Sequence, residues 1–312
     1  MAKNIFVTGG AGYIGSILCE HLLDAGHTVT ALDSLVFGQH SLFHLCSNKR
    51  FNFIFGDVRD EQKLKQGLRD ADVVIPLAAV VGAPACDRDP QAAKDINLNA
   101  IKIINKLRSS EQRIIYPTTN SGYGTKSGAL HCTEDTPLEP ISLYGQTKVD
   151  AEYEVLASPN AVTFRLATVF GLSPRMRLDL LVNHFTYMAV TEGYLVIFEK
   201  HFQRNFVHIR DVADCFVHAI SHFDTMKGKP YNVGLDSANI TKEQLALQIK
   251  EFLPNFYIHF SEVGSDPDKR NYLVSNQRLR DAGFEASRSL GDGIQELIKG
   301  YSLLKRSPLK NV

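Results

Sequence analysis

A glycine-rich segment near the start of this 312-residue chain constrains its fold more than any other feature. Residues Gly9–Gly15 follow a short apolar run, Asn4–Thr8, and precede the helix-like segment 16–25. Their glycines fit both Gly-x-Gly-x-x-Gly and Gly-x-x-Gly-x-x-Gly. A strand, a tight glycine turn and a helix N-terminus suit a pyrophosphate, because the backbone approaches closely and the helix presents unpaired N–H groups. We therefore expect a dinucleotide to be bound by Gly9, Gly12, Tyr13, Ile14 and Gly15.

An acidic residue follows at the spacing that such a unit requires. Asp33 ends the apolar run Thr28–Asp33, about 20 residues after the glycines. A carboxylate there accepts hydrogen bonds from the adenosine ribose and repels a 2′-phosphate, and no arginine follows it. The sequence therefore favours NAD over NADP. Asp57 and Val58 follow the next apolar run; they either border the adenine ring or are simply a turn residue and a core residue.

Apolar runs of strand type recur along the first half of the chain, separated by helix-like stretches. Further runs lie at Phe51–Gly56, Val73–Ala78, Arg113–Pro117 and Ala161–Ala167. This alternation predicts an α/β fold, a Rossmann-type doubly wound parallel sheet with helices on both faces. After Gly171 the alternation stops, and the later segments follow in the order 178–190 (mixed, helical), Phe206–Ile209 and Tyr231–Val233 (both strand-like).

The break after Gly171 predicts two domains, which suits a chain about twice the usual domain size. We expect an NAD-binding Rossmann domain made of residues 1–171 plus about 205–234. A smaller, discontinuous C-terminal substrate domain would then comprise about 172–204 and 235–312.

The balance of charges excludes several classes of partner. The 34 Lys and Arg residues equal the 34 Asp and Glu residues, so no global basic field attracts nucleic acid or an anionic membrane. No apolar run approaches the ~18 residues of a membrane span. The five cysteines are widely spaced, without a Cys-x-x-Cys pair. We expect reduced thiols, a cytoplasmic location, no metal site, no nucleic-acid partner and no membrane partner.

Tyr144 and Lys148 lie four residues apart in a helix-like segment and therefore share one helix face. A phenol with its ordinary pKa of about 10 is a poor general base at neutral pH. A neighbouring ammonium and the positive nicotinamide of NAD+ both favour the phenolate. We expect Tyr144 to remove a proton from a substrate alcohol during hydride transfer, and Lys148 also to hold the cofactor ribose.

Together these residues resemble the extended short-chain dehydrogenase/reductases, and more narrowly their nucleotide-sugar epimerase/dehydratase group. The resemblance covers nearly the whole chain and includes the stretches 118–124, 164–167 and 204–211. It implies bound NAD and a nucleotide-diphosphate sugar held by the C-terminal domain. It also implies that Thr119 hydrogen-bonds the sugar hydroxyl being oxidised. Further cofactor-site residues implied by the resemblance are Leu77, Ala78, Ala79 and Asn97.

The residues after Thr119 depart from one branch of that family. The 4,6-dehydratases carry Asp-Glu there as acid and base for loss of water, whereas this chain has Asn120 and Ser121. Neither side chain carries a proton as a carboxyl group does, so the usual 4,6-dehydration is disfavoured and both residues are expected to contact substrate. The resemblance then implies oxidation of a sugar hydroxyl, most often at C4, to a 4-keto sugar by a 4-dehydrogenase or a 4-epimerase. An NADH-dependent 4-keto-sugar reductase and a non-catalytic NAD-binding regulator remain open.

The resemblance further implies residues that bind the substrate. Arg204 matches the family arginine that binds the diphosphate, and Arg270 lies where a second one is often found. Arginine suits both places because its planar fork bonds phosphate oxygens bidentately. Asn183 is expected to bind the diphosphate or nucleoside, and Arg175 is a further substrate candidate.

Two wider expectations rest on the same resemblance. The chain is similar to bacterial enzymes of surface-polysaccharide sugars, including those that modify GDP-manno-heptose, which favours a GDP-sugar and a role in capsule or polysaccharide biosynthesis. In relatives, the helices corresponding to 99–108 and 144–156 form the dimer interface. We therefore expect a homodimer.

Overall fold

The computed structural model describes residues 1–125, 131–263 and 271–304. Its strands are β1 (Asn4–Thr8), β2 (Thr28–Asp33), β3 (Phe51–Phe55), β4 (Val73–Pro76), β5 (Arg113–Thr119), β6 (His131–Cys132), β7 (Ala161–Leu166), β8 (Thr168–Phe170), β9 (Tyr194–Phe198), β10 (Gln203–His208), β11 (Pro230–Val233), β12 (Asn239–Thr241), β13 (Tyr257–Ser261) and β14 (Leu273–Val274).

Its helices are α1 (Tyr13–Asp24), α2 (Glu61–Leu68), α3 (Ala83–Arg88), α4 (Pro90–Lys94), α5 (Ala100–Leu107), α6 (Leu143–Leu156), α7 (Leu181–Thr191), α8 (Ile209–Ser221), α9 (Phe223–Met226), α10 (Lys242–Phe252), α11 (Gln277–Asp281) and α12 (Leu290–Leu304). A π-helical turn, Asp95–Asn99, leads into α5, and 3₁₀ turns lie at Phe43–Leu45, Asn120–Tyr123 and Asp236–Ala238. Within the described ranges, no helix has both the length and the apolar character needed to cross a membrane.

Seven parallel strands form the central sheet, in the order β3-β2-β1-β4-β5-β7-β11. This confirms the predicted Rossmann-type α/β fold. The strand order reverses between β1 and β4, where Thr8 is paired with Pro76. In such sheets, ligands bind outside the carboxyl ends of the strands at this reversal. The glycine segment after β1 and the segment after β4 therefore meet at the expected crevice.

Alternate residues of β1 pack on opposite faces of the sheet. Ile5 and Val7 belong to one apolar cluster, and Phe6 belongs to a second cluster with residues of α2, α5 and α6. This is the pattern of a strand covered on both sides, which produces a nearly continuous apolar run in the sequence. Gly67 of α2 makes close packing possible, since a Cβ there would lie 2.1 Å from the Phe6 ring.

Some element ends differ from the sequence predictions. Helix α1 begins at Tyr13, three residues before the predicted start, because Gly12 adopts an extended N-cap conformation. Strand β4 ends at Pro76 rather than Ala78. Leu77 still donates its N–H to Thr8 O (2.9 Å), but the chain then leaves the sheet beside the glycine segment. Both differences, at the start of α1 and at the end of β4, thus lie beside the crevice.

The later part of the chain forms smaller sheets, whose strand orders are β12-β10-β8, β13-β9 and β14-β6. The predicted strand at 206–209 is β10, which starts earlier, at Gln203, and joins the first of these small sheets. The predicted strand at 231–233 is β11, at the edge of the central sheet. One apolar cluster extends from β1 through α7, α8, α10 and α12. The two halves share that core, and the domain boundaries stay a prediction.

Candidate active site

The glycine segment and the chain after β4 are packed directly against each other. Gly9 has φ +70°, and a Cβ on it would lie 2.6 Å from Ala78 N. A Cβ on Gly15 would lie 2.3 Å from Gly9 O. Among the residues that the structure describes, no side chain caps the N-terminus of α1 at Gly12, so its first-turn N–H groups suit phosphate oxygens. The structure thus brings Leu77–Ala79 and the predicted pyrophosphate site together.

Asp33 lies beside this segment at the carboxyl end of β2. Ala11 N–H donates to Asp33 Oδ2 and Leu35 N–H donates to Oδ1, both at 2.9 Å. Burial raises the pKa of Asp33, and these N–H groups partly offset that rise. The carboxylate is therefore fixed in orientation next to the pyrophosphate site, as expected of a ribose-binding acid.

Lys148 is enclosed on the inner face of α6, with 5% of its side chain exposed. Its Nζ lies 4.0 Å from the centroid of the Tyr116 ring, in β5. Burial lowers the pKa of Lys148 from 10.5 to about 7, although the nearby Glu152 carboxylate opposes this. Tyr144 lies one turn earlier in α6 and is half-buried. Near neutral pH, Lys148 is therefore close to the midpoint of its titration, and charges bound nearby decide whether it holds its proton.

The same helix carries a buried ion pair that the sequence analysis missed. Glu152 is fully buried, and its Oε1 accepts hydrogen bonds from Arg165 Nη2 (2.7 Å) and Nε (2.9 Å). Arg165 also donates to the Tyr123 hydroxyl (3.1 Å) and to Glu134 O (2.9 Å). Glu152 and Arg165 lie in different elements, α6 and β7, so no local spacing in the sequence signals the pair. The carboxylate of this pair, on Glu152, therefore lies one turn after Lys148 in α6.

Thr119 ends β5 and organises the turn that follows it. Its Oγ1 accepts from Ser121 N–H (3.1 Å) and donates to Ser121 Oγ (2.9 Å). Asn120 is 1% exposed, and among the described residues neither polar atom of its amide has a hydrogen-bond partner. A buried amide without partners costs about 1–3 kcal/mol, and a bound ligand supplies such partners. This orphaned amide fits a turn that contacts a ligand.

Two predicted ligand residues have their amides occupied within the protein. Asn97 accepts from Val80 N–H (2.8 Å) and donates to Val80 O and to Thr147 Oγ1. Fully buried Asn183 accepts from Gly171 N–H (3.0 Å) and donates to the hydroxyl of Tyr13. Both amides join neighbouring segments, so this geometry gives no support to Asn97 as a cofactor ligand or to Asn183 as a substrate ligand.

Asp57 and Val58, for which the sequence leaves two roles open, both have partners within the protein. The Asp57 carboxylate accepts two hydrogen bonds from the Arg59 guanidinium, at 2.9 and 2.7 Å, and a third from its N–H. These bonds lower the pKa of Asp57. Val58 is buried in the apolar cluster that contains Phe6. The geometry favours a turn residue and a core residue rather than contacts with adenine.

The predicted substrate arginines lie in different surroundings. Arg204 is 3% exposed in β10 and donates to Gln203 O (2.9 Å). Arg270 lies outside the described residues. The Arg175 guanidinium lies over the Phe37 ring, on the cofactor side of the crevice. Arg177 is ion-paired with Asp179.

Arg177 also interacts electrostatically with a residue of α6. Burial by itself lowers the pKa of Arg177, but the pair with Asp179, with a smaller contribution from Tyr144, raises it overall. Arg177 is therefore within electrostatic reach of the Tyr144 phenol. The sequence offers Arg177, like Arg175, as a further substrate candidate, with a solvated surface arginine as the commoner alternative for both.

Comparison with known proteins identifies the family. The model of the NAD dependent epimerase/dehydratase family matches residues 5–234. The chain belongs to that family. NAD is its cofactor, and its activity is of the nucleotide-sugar epimerase/dehydratase type. The glycine cradle, the fixed Asp33 and the orphaned amide of Asn120 fit NAD and a ligand bound beside it.

Individual relatives show the range of this family. The uncharacterized UDP-glucose epimerase YtcB of Bacillus subtilis (strain 168) is 29% identical, over 96% of this chain and 98% of the relative. UDP-glucuronic acid 4-epimerase from Bacillus cereus, solved with UDP-glucuronic acid and NAD, has a TM-score of 0.83 at 26% identity, covering 96% and 99% of the two chains. dTDP-glucose 4,6-dehydratase from Bacillus anthracis str. Ames, solved with NAD, has a TM-score of 0.84 at 20% identity, covering 97% and 98%, and shows the shared fold alone.

Proposed function

We propose that this protein oxidises the C4 hydroxyl of a nucleotide-diphosphate sugar, as a 4-epimerase or a 4-dehydrogenase. The observation that carries the proposal is the buried Lys148 amino group, one turn from Tyr144 in α6 and 4.0 Å from the Tyr116 ring. A buried cation beside a phenol favours the phenolate, which is the form able to accept a proton.

The chain's own residues then divide the work. Bound NAD+ supplies the hydride acceptor. Thr119 positions the reacting hydroxyl, and Tyr144 Oη accepts its proton as the carbon–oxygen double bond forms. Lys148 stabilises the phenolate and holds the cofactor ribose. In an epimerase the hydride and proton return to the opposite face of the sugar, whereas in a dehydrogenase the 4-keto sugar is released.

The turn after Thr119 supports this reading over 4,6-dehydration. Asn120 and Ser121 occupy the positions of the acid and base of a dehydratase and lack a carboxyl group. The buried carboxylate on α6, Glu152, is held by Arg165 and is no substitute. We propose that the Asn120 amide instead finds its hydrogen-bond partners on the substrate.

Two observations bear on which nucleotide the substrate carries, and they favour different bases. The prediction of a GDP-sugar rests on a resemblance to enzymes of surface-polysaccharide sugars. Two of the relatives described above are named for a UDP-sugar or solved with one. The test of function therefore uses both GDP-sugars and UDP-sugars.

The test is to incubate the purified protein with NAD+ and a panel of GDP- and UDP-sugars. Absorbance near 340 nm reports NADH, and mass spectrometry with chromatography reports keto or epimerised products. We expect turnover of at least one sugar by the wild type, none by Tyr144→Phe, and unchanged turnover by Tyr194→Phe, a matched change at an exposed tyrosine of β9. Absence of both NADH and product, or equal turnover by Tyr144→Phe, would overturn the proposal.

We also propose a homodimer formed through α5 and α6. These helices pack together, with Asn105 Nδ2 donating to Glu154 O (3.0 Å), and Tyr153 remains 56% exposed on their outer side. Light scattering that gives the mass of one chain would contradict this.

A further inference from the structure

A segment from the second half of the chain is fastened across the start of α1. The Tyr13 hydroxyl donates to Gly171 O (2.8 Å). Ser173 Oγ donates to Tyr13 O (2.8 Å) and lies 3.0 Å from Ser16 Oγ. These contacts join residues more than 150 positions apart. They fix the chain after β8 beside the pyrophosphate-binding end of the helix.

The same segment places Arg175 over the loop that follows Asp33. Arg175 N–H donates to Ser173 Oγ (3.2 Å), and its guanidinium carbon lies 4.3 Å from the centroid of the Phe37 ring. Phe37 is otherwise 59% exposed. Gln39 ties this loop to the acid, because its Oε1 accepts from Phe37 N–H (3.1 Å) and its Nε2 approaches Asp33 Oδ1 (3.5 Å). Arg175 therefore lies on the adenosine side of the site.

We propose that Arg175 is a cofactor-binding residue and that Arg175 and Asp33 together set the choice between NAD and NADP. The sequence prediction gave Arg175 to the substrate, and it favoured NAD over NADP partly because no arginine follows Asp33. The structure brings an arginine to that loop from a distant part of the chain. The proposal concerns the dinucleotide alone and does not depend on the sugar chemistry proposed above.

Opposing charges explain the expected selectivity. The Asp33 carboxylate accepts hydrogen bonds from ribose hydroxyls and repels a 2′-phosphate. A guanidinium attracts the same phosphate and can bond it bidentately. Burial raises the pKa of Asp33, and the charge of Arg175 is among the groups that oppose the rise, which agrees with their proximity. With both residues present, the carboxylate keeps NAD preferred; without it, Arg175 is free to recruit NADP.

The test is a double-mutant cycle read by calorimetric binding to cofactor-free protein, so it needs no turnover. NAD+, NADP+, GDP and UDP are titrated into the wild type, Asp33→Asn, Arg175→Gln and the double variant. We expect Asp33→Asn to bind NADP+ about tenfold more tightly than the wild type, the scale of one charged hydrogen bond. The double variant should lose that gain, and Arg175→Gln should leave GDP and UDP binding unchanged.

Two controls make the outcome decisive. Arg113→Gln removes another guanidinium that lies over a phenylalanine ring (Phe223, 4.7 Å to the centroid), at the start of β5 and away from the carboxyl ends of the strands, and should leave every affinity unchanged. Arg175→Lys keeps the charge without the fork and should retain part of the NADP+ gain in the Asp33→Asn background. The proposal is overturned if the gain survives in the double variant, or if Arg175→Gln weakens GDP or UDP binding and leaves both dinucleotides unaffected.

Discussion

Replacing Lys148 by methionine should stabilise the cofactor-free protein while abolishing its chemistry. Lys148 is 5% exposed, and burial lowers its pKa from 10.5 to about 7. At about 1.36 kcal/mol per pH unit, this difference corresponds to a stability cost of about 5 kcal/mol for keeping the ammonium in the fold. Methionine has a similar shape and carries no charge. It should pack against Tyr116 without that cost.

The pH dependence has a definite sign. Between about pH 7 and pH 10.5 the unfolded chain holds a proton on Lys148 that the folded protein has lost, so the free energy of unfolding of the wild type rises with pH. Below about pH 7 Lys148 is protonated in both the folded and the unfolded protein, and burying its ammonium carries the full cost in stability. The advantage of Lys148→Met should therefore be about 5 kcal/mol at pH 6 and about 3 kcal/mol at pH 8.5.

The assay is urea unfolding followed by circular dichroism at both pH values. Lys200→Met is the matched control, because Lys200 is exposed and paired with Glu243 at the surface, and its removal should change stability by less than about 1 kcal/mol. An advantage of Lys148→Met that does not shrink at the higher pH would refute the reasoning. So would a variant less stable than the wild type at pH 6.

Three further changes test the packing of the site. Glu152→Leu leaves Arg165 charged and buried, and should cost about 3–5 kcal/mol in urea unfolding, most of which the double variant with Arg165→Met should recover. Gly9→Ala forces a Cβ against Ala78 N at positive φ and should weaken NAD+ binding about tenfold or more by calorimetry; wild-type affinity would contradict the cradle. Asn120→Leu removes the orphaned amide and should stabilise the free protein by about 1 kcal/mol or more while reducing kcat/KM; a loss of stability would show that the amide has partners.

The parts of the fold that the sequence predicted well depend on local pattern. Strands β1 and β2 have the predicted bounds, because apolar runs between turns are enough to define buried parallel strands. Asp33 was found by its spacing from the glycines, which a single strand–turn–helix–strand unit fixes. The end of β4 was misplaced because Leu77 and Ala78 are as apolar as the strand before them, and only the packing against Gly9 shows where the chain turns away.

The remainder of the site depends on contacts between distant segments. The family resemblance marked Asn97 and Asn183 as ligands, yet it does not reveal that nearby backbone groups already bond to their amides. The pair of Glu152 with Arg165 joins α6 to β7, and neither residue alone signals the other. The position of Arg175 over the Phe37 ring likewise results from packing between distant segments, which no local sequence spacing encodes.

The most direct test of the central claim follows the hydrogen at C4 of the sugar. A nucleotide-sugar that is a substrate is prepared with deuterium at C4, or at C3 as a control, and a single turnover with NAD+ is analysed by mass spectrometry. The account predicts that the C4 label appears in the reduced cofactor or on C4 of a product with inverted configuration, and that the C3 label stays in place. Transfer of the C3 label, or loss of the C4 label to water, would contradict it.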